Sequence, residues 1–498
     1  MTPRLSSAVL LRRKKNLRDQ VFLVERNQSL RFFGGYHAFP GGVVSPDELA
    51  RVGGDRDRAV WRCALRELFE ETGVLSAPGR THLVDEERTQ LRQALLRAER
   101  HDTLVESWEE WALPIDESPF RSLGWMTTPA FAPLRYETLF LDLELPEGEE
   151  ASIVHGELVG GRFWEAGEAL QAWRQGEIRI VPPVLLILEL MDAGGVEDLD
   201  RHFGEELVRL DAGALHPVRF TPGIFTAPLC TPTLPPATTT NTLLVGEDRI
   251  YIVDPGTHEE TEQDLLFDKL QDLLQEGKRL EGILLTHSHN DHVGAARRTA
   301  ETFTLPILAH EISLSEITLE GLAQRPLSHG DRLQLGRAPD GSEGWHLEVI
   351  HTPGHHPGHL CFQESRYDAL IAGDMVSTVS TIVIDPPEGH LSTYLASLEA
   401  LLARPRGTLY PAHGPAARDS HAILRHYLAH RAEREEALIL SLSEAPRTIE
   451  EVVPEVYSDV DPALHGIARR SLLAGLHKLE EEGLAVRDED RWRLVRAR

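Results

Sequence analysis

Four side chains with metal-ligating chemistry fall within six residues at His287, His289, Asp291 and His292, in the string THSHNDH that follows the apolar run Ile283-Leu284-Leu285. An apolar run that stops at such a cluster reads as a buried strand whose end turns imidazoles and carboxylates toward one point. Neutral imidazole and carboxylate are the ligands zinc takes where thiolates are absent. Three later segments repeat the pattern of an apolar run followed by ligand types. They hold His351, His355, His356 and His359 in HTPGHHPGH, Asp374 in AGDMVS and His413 in YPAHGP. Two cations held close together lower the pKa of a shared water and polarise a scissile group, so hydrolysis by a hydroxide is the expected chemistry. Asp291 is the residue expected to orient that water.

At 498 residues the chain exceeds what one hydrophobic core supports, so two or three domains are expected. The balance of 41% hydrophobic and 26% charged residues is that of folded soluble proteins and argues against large-scale disorder. A formal charge of -28 opposes a polyanionic partner at long range, which counts against a nuclease. Cys63, Cys230 and Cys361 lie far apart without CxxC spacing, so neither a disulfide framework nor a thiolate metal site is expected and a reducing cytoplasm fits. No apolar run approaches the roughly 20 residues that span a bilayer, and no membrane partner is expected.

Along the chain, apolar runs flanking a basic turn between Ser6 and Arg26 read as a hairpin, and the Gly/Pro-rich loop from Gly34 to Gly42 follows. Apolar side chains at Val60, Ala64, Leu65 and Leu68 predict a helix over 57–72, stopped by Gly73. The Pro- and Thr-rich stretch from His216 to Pro236 reads as a connection between domains. Short β-rich runs then alternate with helical patterns. From about Arg431 charged helices dominate, ending in a helix that feeds a short hairpin, a winged-helix-like order. The expected division is 1–205, 206–430 and 431–498.

From about Pro217 to His430 the ordered motifs resemble the metallo-β-lactamase superfamily, which implies an αββα sandwich. The resemblance implies that His287, His289 and His355 hold one metal, that Asp291, His292 and His413 hold the other, and that Asp374 bridges two Zn2+. Asp254 in IVDPG matches the family's structural aspartate. Spacing alone leaves His351, His355 and His359 all open, and the motif TPGH favours His355. The C-terminal appendage resembles that of the β-lactamase-like protein 2 group, which includes endoribonucleases and thioesterases. Arg487, Arg491, Arg493, Arg496 and Arg498 could contact phosphates there, although a charge run is usually a solvated face.

In the first half, Glu67, Glu70 and Glu71 stand at i, i+3 and i+4 and emerge on one helix face. Such crowding is relieved by a hard cation with room for substrate phosphates, Mg2+ or Mn2+. The string REx2xEExGU at Arg66 to Val74 resembles the core of the Nudix box. With FPGG at Pro40 to Gly42, WMTTP at Trp125 to Pro129 and GELVGG from Gly156, the stretch Ser6 to Leu190 looks like a Nudix hydrolase of the coenzyme A diphosphatase type. The resemblance implies an α/β/α sandwich, the three glutamates as metal-binding and catalytic residues, and Glu157 as a further ligand. The full box expects a glutamate eight residues before Arg66, where Arg58 stands, and an insertion from Val43 to Gly54 accounts for the departure.

The chain is therefore expected to be an α/β, α+β multidomain fusion of two metal-dependent hydrolases. One is a diphosphatase of coenzyme A or a nucleoside diphosphate derivative. The other is a dinuclear zinc enzyme acting on an acyl thioester or ester. The alternatives are cleavage of single-stranded RNA by the second half and a Nudix half that senses a nucleotide without turnover. Oligomeric state is not readable from the sequence.

Overall fold

A computed structural model describes residues 2–30, 33–76, 85–97, 120–129, 132, 134–442 and 445–495. They divide into two compact units, Met1–Pro222 and Gly223–Arg498. Helix Leu199–Asp211 runs through residue 205 and helix Ser420–Ser441 through residue 430. Among the described residues no helix is long and apolar enough to cross a membrane.

The first unit is built on a mixed sheet. Strands Arg4–Lys15 and Arg18–Arg26 form the expected antiparallel hairpin, turned at Asn16 and Leu17, both with positive φ as a two-residue hairpin turn requires. Arg4–Lys15 also pairs in parallel with Tyr136–Glu144, which carries Arg121–Thr127 on its other side, and Arg18–Arg26 pairs with Leu158–Trp164. Side chains alternate across the pleat, so Leu10, Val21 and Leu23 enter one core while Val9, Leu11, Phe22 and Val24 enter the other. Helices Ala166–Arg174, Pro182–Gly194 and Leu199–Asp211 contribute to the first core, and helix Arg56–Thr72 to the second through Val60, Ala64, Leu65, Leu68 and Phe69. This is the α/β/α sandwich expected. The helix starts where Asp55 accepts the Arg58 amide and stops at left-handed Gly73.

In the second unit one sheet runs Gln324–Pro326, Ile307–Ala309, Arg279–Leu284, Arg249–Val253, Thr239–Val245, Ile224–Cys230, and a five-stranded sheet runs Arg332–Gly336, Trp345–His351, Leu360–Glu364, Leu370–Gly373, Leu409–Pro411. The stretch read as a connection contains the break between the units, after Pro222, and also a strand: Ile224–Cys230 pairs in full antiparallel register with Thr239–Val245, and buried Ile224, Thr226, Ala227 and Leu229 outweigh Pro228. Four of the described pairings in this unit are parallel, and two of them set Val253 opposite Leu284 and Gly373 opposite Pro411. Parallel strands end at the same edge, so the residues just beyond them, Asp254, His287, Asp374 and His413, emerge together. The chain closes with helices Ile449–Val456 and His465–Glu481 and the hairpin Ala485–Asp488, Arg491–Leu494, packed on Leu438, Val452, Val456, Leu472, Leu476 and Trp492. Arg496 and Arg498 lie outside the described residues.

Leu68 is fully buried in the core under the carboxylate helix. Leu68→Ala should lower the stability of the first unit by about 2–5 kcal/mol. In urea its transition should move to lower concentration while that of the second unit stays in place.

Candidate metal centres

Donor atoms of His287, His289 and His355 lie within 4.8 Å of one another, as do those of His287, His292 and Asp374 and those of Asp291, His292 and His413. Asp374 faces both sides. Its Oδ1 lies 3.7 Å from His292 Nε2 and 3.3 Å from His413 Nε2, and its Oδ2 lies 3.5 Å from His355 Nε2. The Nε2 atoms of His287 and His292 and Oδ1 of Asp374 are buried without a hydrogen-bond partner among the described residues. Each such orphan costs about 1–3 kcal/mol unless something satisfies it. Three orphans converging in one cluster fit a cation.

Which nitrogen can bind is set by what the other one does. His355 donates Nδ1–H to the Val383 carbonyl at 2.9 Å, His413 to the Thr239 carbonyl at 3.0 Å and His292 to Asp254 Oδ2 at 2.9 Å, so each turns its Nε2 lone pair into the cluster. His289 is reversed: Nε2 donates to Glu388 Oε2 at 3.0 Å, and Nδ1 faces His355 Nε2 at 3.0 Å. The neighbouring histidines differ. His359 Nε2 accepts the Asp374 amide at 3.0 Å while its Nδ1 meets Thr352 Oγ1, and His356 Nδ1 accepts the Gly358 amide at 2.9 Å. His351 Nε2 donates to the Pro357 carbonyl. Of the four histidines in HTPGHHPGH, only His355 therefore offers a lone pair to the cluster. By the same logic His356 carries its proton on Nε2, which donates to Glu316 Oε2 at 2.8 Å, so the group Glu316, His356 and Glu388 is a hydrogen-bonded cluster and not a cation site.

Burial, reinforced by the surrounding imidazoles, holds His287 well below the ordinary histidine range and His355 down to about 4, so both are neutral. Burial also disfavours charge on His292 and His413, yet the carboxylates of Asp254 and Asp374 for the first, and of Asp374 for the second, outweigh it and raise both. Negative charge thus gathers on the side of Asp291, His292 and His413, where a cation at Nε2 would take the place of the proton.

The first unit carries a different centre. Glu67, Glu70 and Glu71 are largely buried on helix Arg56–Thr72, and burial pushes all three carboxyls up, Glu70 to about 8. Glu67 and Glu157 add to this at Glu71, while Arg66 opposes it at Glu67 and Glu70. Arg66 donates to Glu67 Oε1 at 2.8 Å and Glu70 Oε2 at 3.3 Å, and Gly41 N–H donates to Glu71 at 2.9 Å. The glutamate that Arg58 seemed to replace is supplied elsewhere. Buried Glu48 receives the Arg66 guanidinium at 2.8 Å, from the short capped helix Pro46–Arg51 inside the inserted stretch. Sequence reasoning missed it because the insertion moves it 18 residues upstream of Arg66, beyond any helical spacing; the capping box at Ser45 was the available signal.

These two centres, one of imidazoles at parallel strand ends and one of carboxylates on a helix, are those of metal-dependent hydrolases. The metallo-beta-lactamase superfamily profile matches residues 235–413, the beta-lactamase associated winged helix domain 448–492 and the NUDIX domain 2–141. The chain is similar to a probable metallo-hydrolase of Bacillus subtilis (strain 168), 31% identical over 189 residues, covering 34% of this chain and 83% of that protein. It is similar to the Beta-lactamase-like protein 2 homolog of Drosophila melanogaster, 28% identical over 268 residues, 51% of this chain and 86% of that one. Over 227 residues it is 29% identical to an atrochrysone carboxyl ACP thioesterase of Claviceps purpurea (strain 20.1), 44% of this chain and 67% of that one. The chain belongs to the metallo-β-lactamase superfamily, and it is a hydrolase that joins a Nudix domain to a metallo-β-lactamase domain with a winged-helix appendage. Both families generally use metal ions.

A carboxyl raised in the folded state adds stability below its unfolded pKa and loses that contribution as pH rises through the folded value. In the presence of a chelator, the thermal midpoint of the first unit should fall between pH 5 and pH 8.5, following Glu70. Added Mg2+ should raise it more at pH 8 than at pH 5, and Glu70→Gln should flatten the profile. A midpoint that ignores both pH and Mg2+ would sink the carboxylate-metal reading.

Proposed function

We propose that the second unit is a dinuclear zinc hydrolase of acyl thioesters or related esters, and that the first is a Mg2+- or Mn2+-dependent diphosphatase of coenzyme A or another nucleoside diphosphate derivative. The observation that carries the first statement is Asp374, whose two oxygens face the two ligand groups while the lone pairs around them converge. In this reading His287, His289 and His355 would hold one ion, Asp291, His292 and His413 would hold the other, and Asp374 would serve both. When bound, the pair of ions supplies a hydroxide near neutral pH and polarises the scissile carbonyl. The protein's own part is to orient and to accept protons. Asp291, whose Oδ2 lies 3.5 Å from His413 Nε2 within the cluster, would orient the attacking water. The thioesterase names of several relatives support an acyl substrate. Two of the C-terminal arginines are engaged within the chain: Arg487 lies over Trp492 and bonds the Glu489 carbonyl, and Arg491 donates to the Pro446 carbonyl.

In the first unit Glu67, Glu70 and Glu71, with Glu157 close enough to act on two of them, would hold the ions that neutralise the diphosphate. The intact triplet and its Arg66–Glu48 buttress support turnover over mere sensing. We further propose that the functional segments follow the division 1–205, 206–430 and 431–498.

Purified chain should carry about two zinc ions in the second unit and turn over acyl thioesters but not single-stranded RNA. Asp374→Asn should reduce both the zinc content and thioester turnover, the latter by about 10²-fold or more. Glu70→Gln should abolish coenzyme A cleavage and spare thioester turnover. RNA cleavage with inert thioesters would reverse the substrate assignment.

A further inference from the structure

The segment Ile382–His390 runs between the histidine ligands and the C-terminal helix His465–Glu481, and both sides hold it. Toward the ligands, the Val383 carbonyl receives His355 Nδ1–H at 2.9 Å and Glu388 Oε2 receives His289 Nε2–H at 3.0 Å. Toward the helix, Asp385 Oδ2 pairs with Arg470 at 3.1 Å, the Ile384 amide donates to Ser471 Oγ at 3.4 Å, and His390 Nε2 meets Glu481 Oε1 at 2.7 Å. The Arg431 guanidinium donates to the Ile382 carbonyl. Ala474, on the same helix, is buried in one core with Tyr394 and Leu398 of helix Leu391–Leu402.

We propose that Glu388 is a positioning residue for His289, and that the winged-helix appendage holds the segment carrying it through Arg470–Asp385 and Glu481–His390. The proposal rests on the assignment of His287, His289 and His355 as metal ligands. A partner on the far nitrogen fixes which nitrogen of an imidazole faces the metal, and it raises the basicity of that nitrogen. His289 needs this most, because it is the least buried of the three and the one whose Nδ1 must face inward while Nε2 points away. The appendage thereby acts on the metal site without touching it. Helix His465–Glu481 contributes Arg470, Ser471 and Glu481 to this clamp.

The test uses the full chain loaded with Zn2+ and titrated with a competing chelator, together with the visible absorption of the Co2+-substituted protein. Glu388→Ala should weaken the metal held by His287, His289 and His355 by about 10–100-fold and shift the Co2+ bands. Glu388→Gln, which keeps an acceptor oxygen, should recover most of the affinity. Asp385→Arg should reproduce part of the loss, and Arg470→Asp in the same chain should restore it. Unchanged metal affinity in Glu388→Ala, or a charge swap that restores nothing, overturns the proposal. A wild-type chain that binds no metal overturns the ligand assignment itself.

Discussion

Asp254 is the constraint on which the second unit's site depends. Its carboxylate is buried, accepts the Thr286 amide and hydroxyl at 2.7 Å each, and receives His292 Nδ1–H at 2.9 Å. A buried carboxylate is tolerated only where it is hydrogen-bonded, and three donors meet that demand. The residue sits at positive φ, 46°, a conformation non-glycine residues rarely adopt and hold only where surrounding contacts enforce it. It thereby ties the end of one strand to the end of its parallel neighbour and fixes the His292 tautomer in the same contact. Gly256 completes the turn, because a Cβ there would lie 2.0 Å from the Asp291 carbonyl.

From that anchor the remaining histidines follow one rule. Each is held by an acceptor on the nitrogen that faces away, a carbonyl for His355 and His413, a carboxylate for His289 and the Thr286 hydroxyl for His287, and the other nitrogen is left to converge. His359 shows the contrary case. It is as buried as any of them, yet both nitrogens are spent on Thr352 and the Asp374 amide, so it holds the Asp374 backbone from behind. Gly373 makes room for it, since a Cβ would come within 2.6 Å of its Nε2.

The histidine cluster was legible in the sequence because all its ligands lie just beyond apolar strands, and strand ends are what hydrophobic runs mark best. The helix of Glu67, Glu70 and Glu71 was legible for the same kind of reason, since its spacing and its cap are local. What was not legible is whatever depends on long-range pairing. Glu48 meets Arg66 across an insertion, Glu388 meets His289 across 99 residues, and Arg470 meets Asp385 across 85. The stretch 216–236 carries both signals: the break between the two units falls within it, after Pro222, while the burial of Ile224 and Leu229 makes the part that follows a strand.

The two centres also divide the chemistry by ligand hardness. Borderline imidazoles with their far nitrogens pinned suit an ion that must keep a fixed, open coordination and activate water. Crowded carboxylates with raised pKa values suit a hard ion that arrives with a phosphate and neutralises it, and the crowding itself drives the ion's uptake. Arg66 stands within that crowd as the permanent cation. It accounts for part of the negative charge, and because it is held by Glu48 outside the triplet, Glu70 and Glu71 keep oxygens for an incoming ion. Glu48 itself is held in place by the capped helix Pro46–Arg51, and without it the carboxylates left to Arg66 would be those of the triplet.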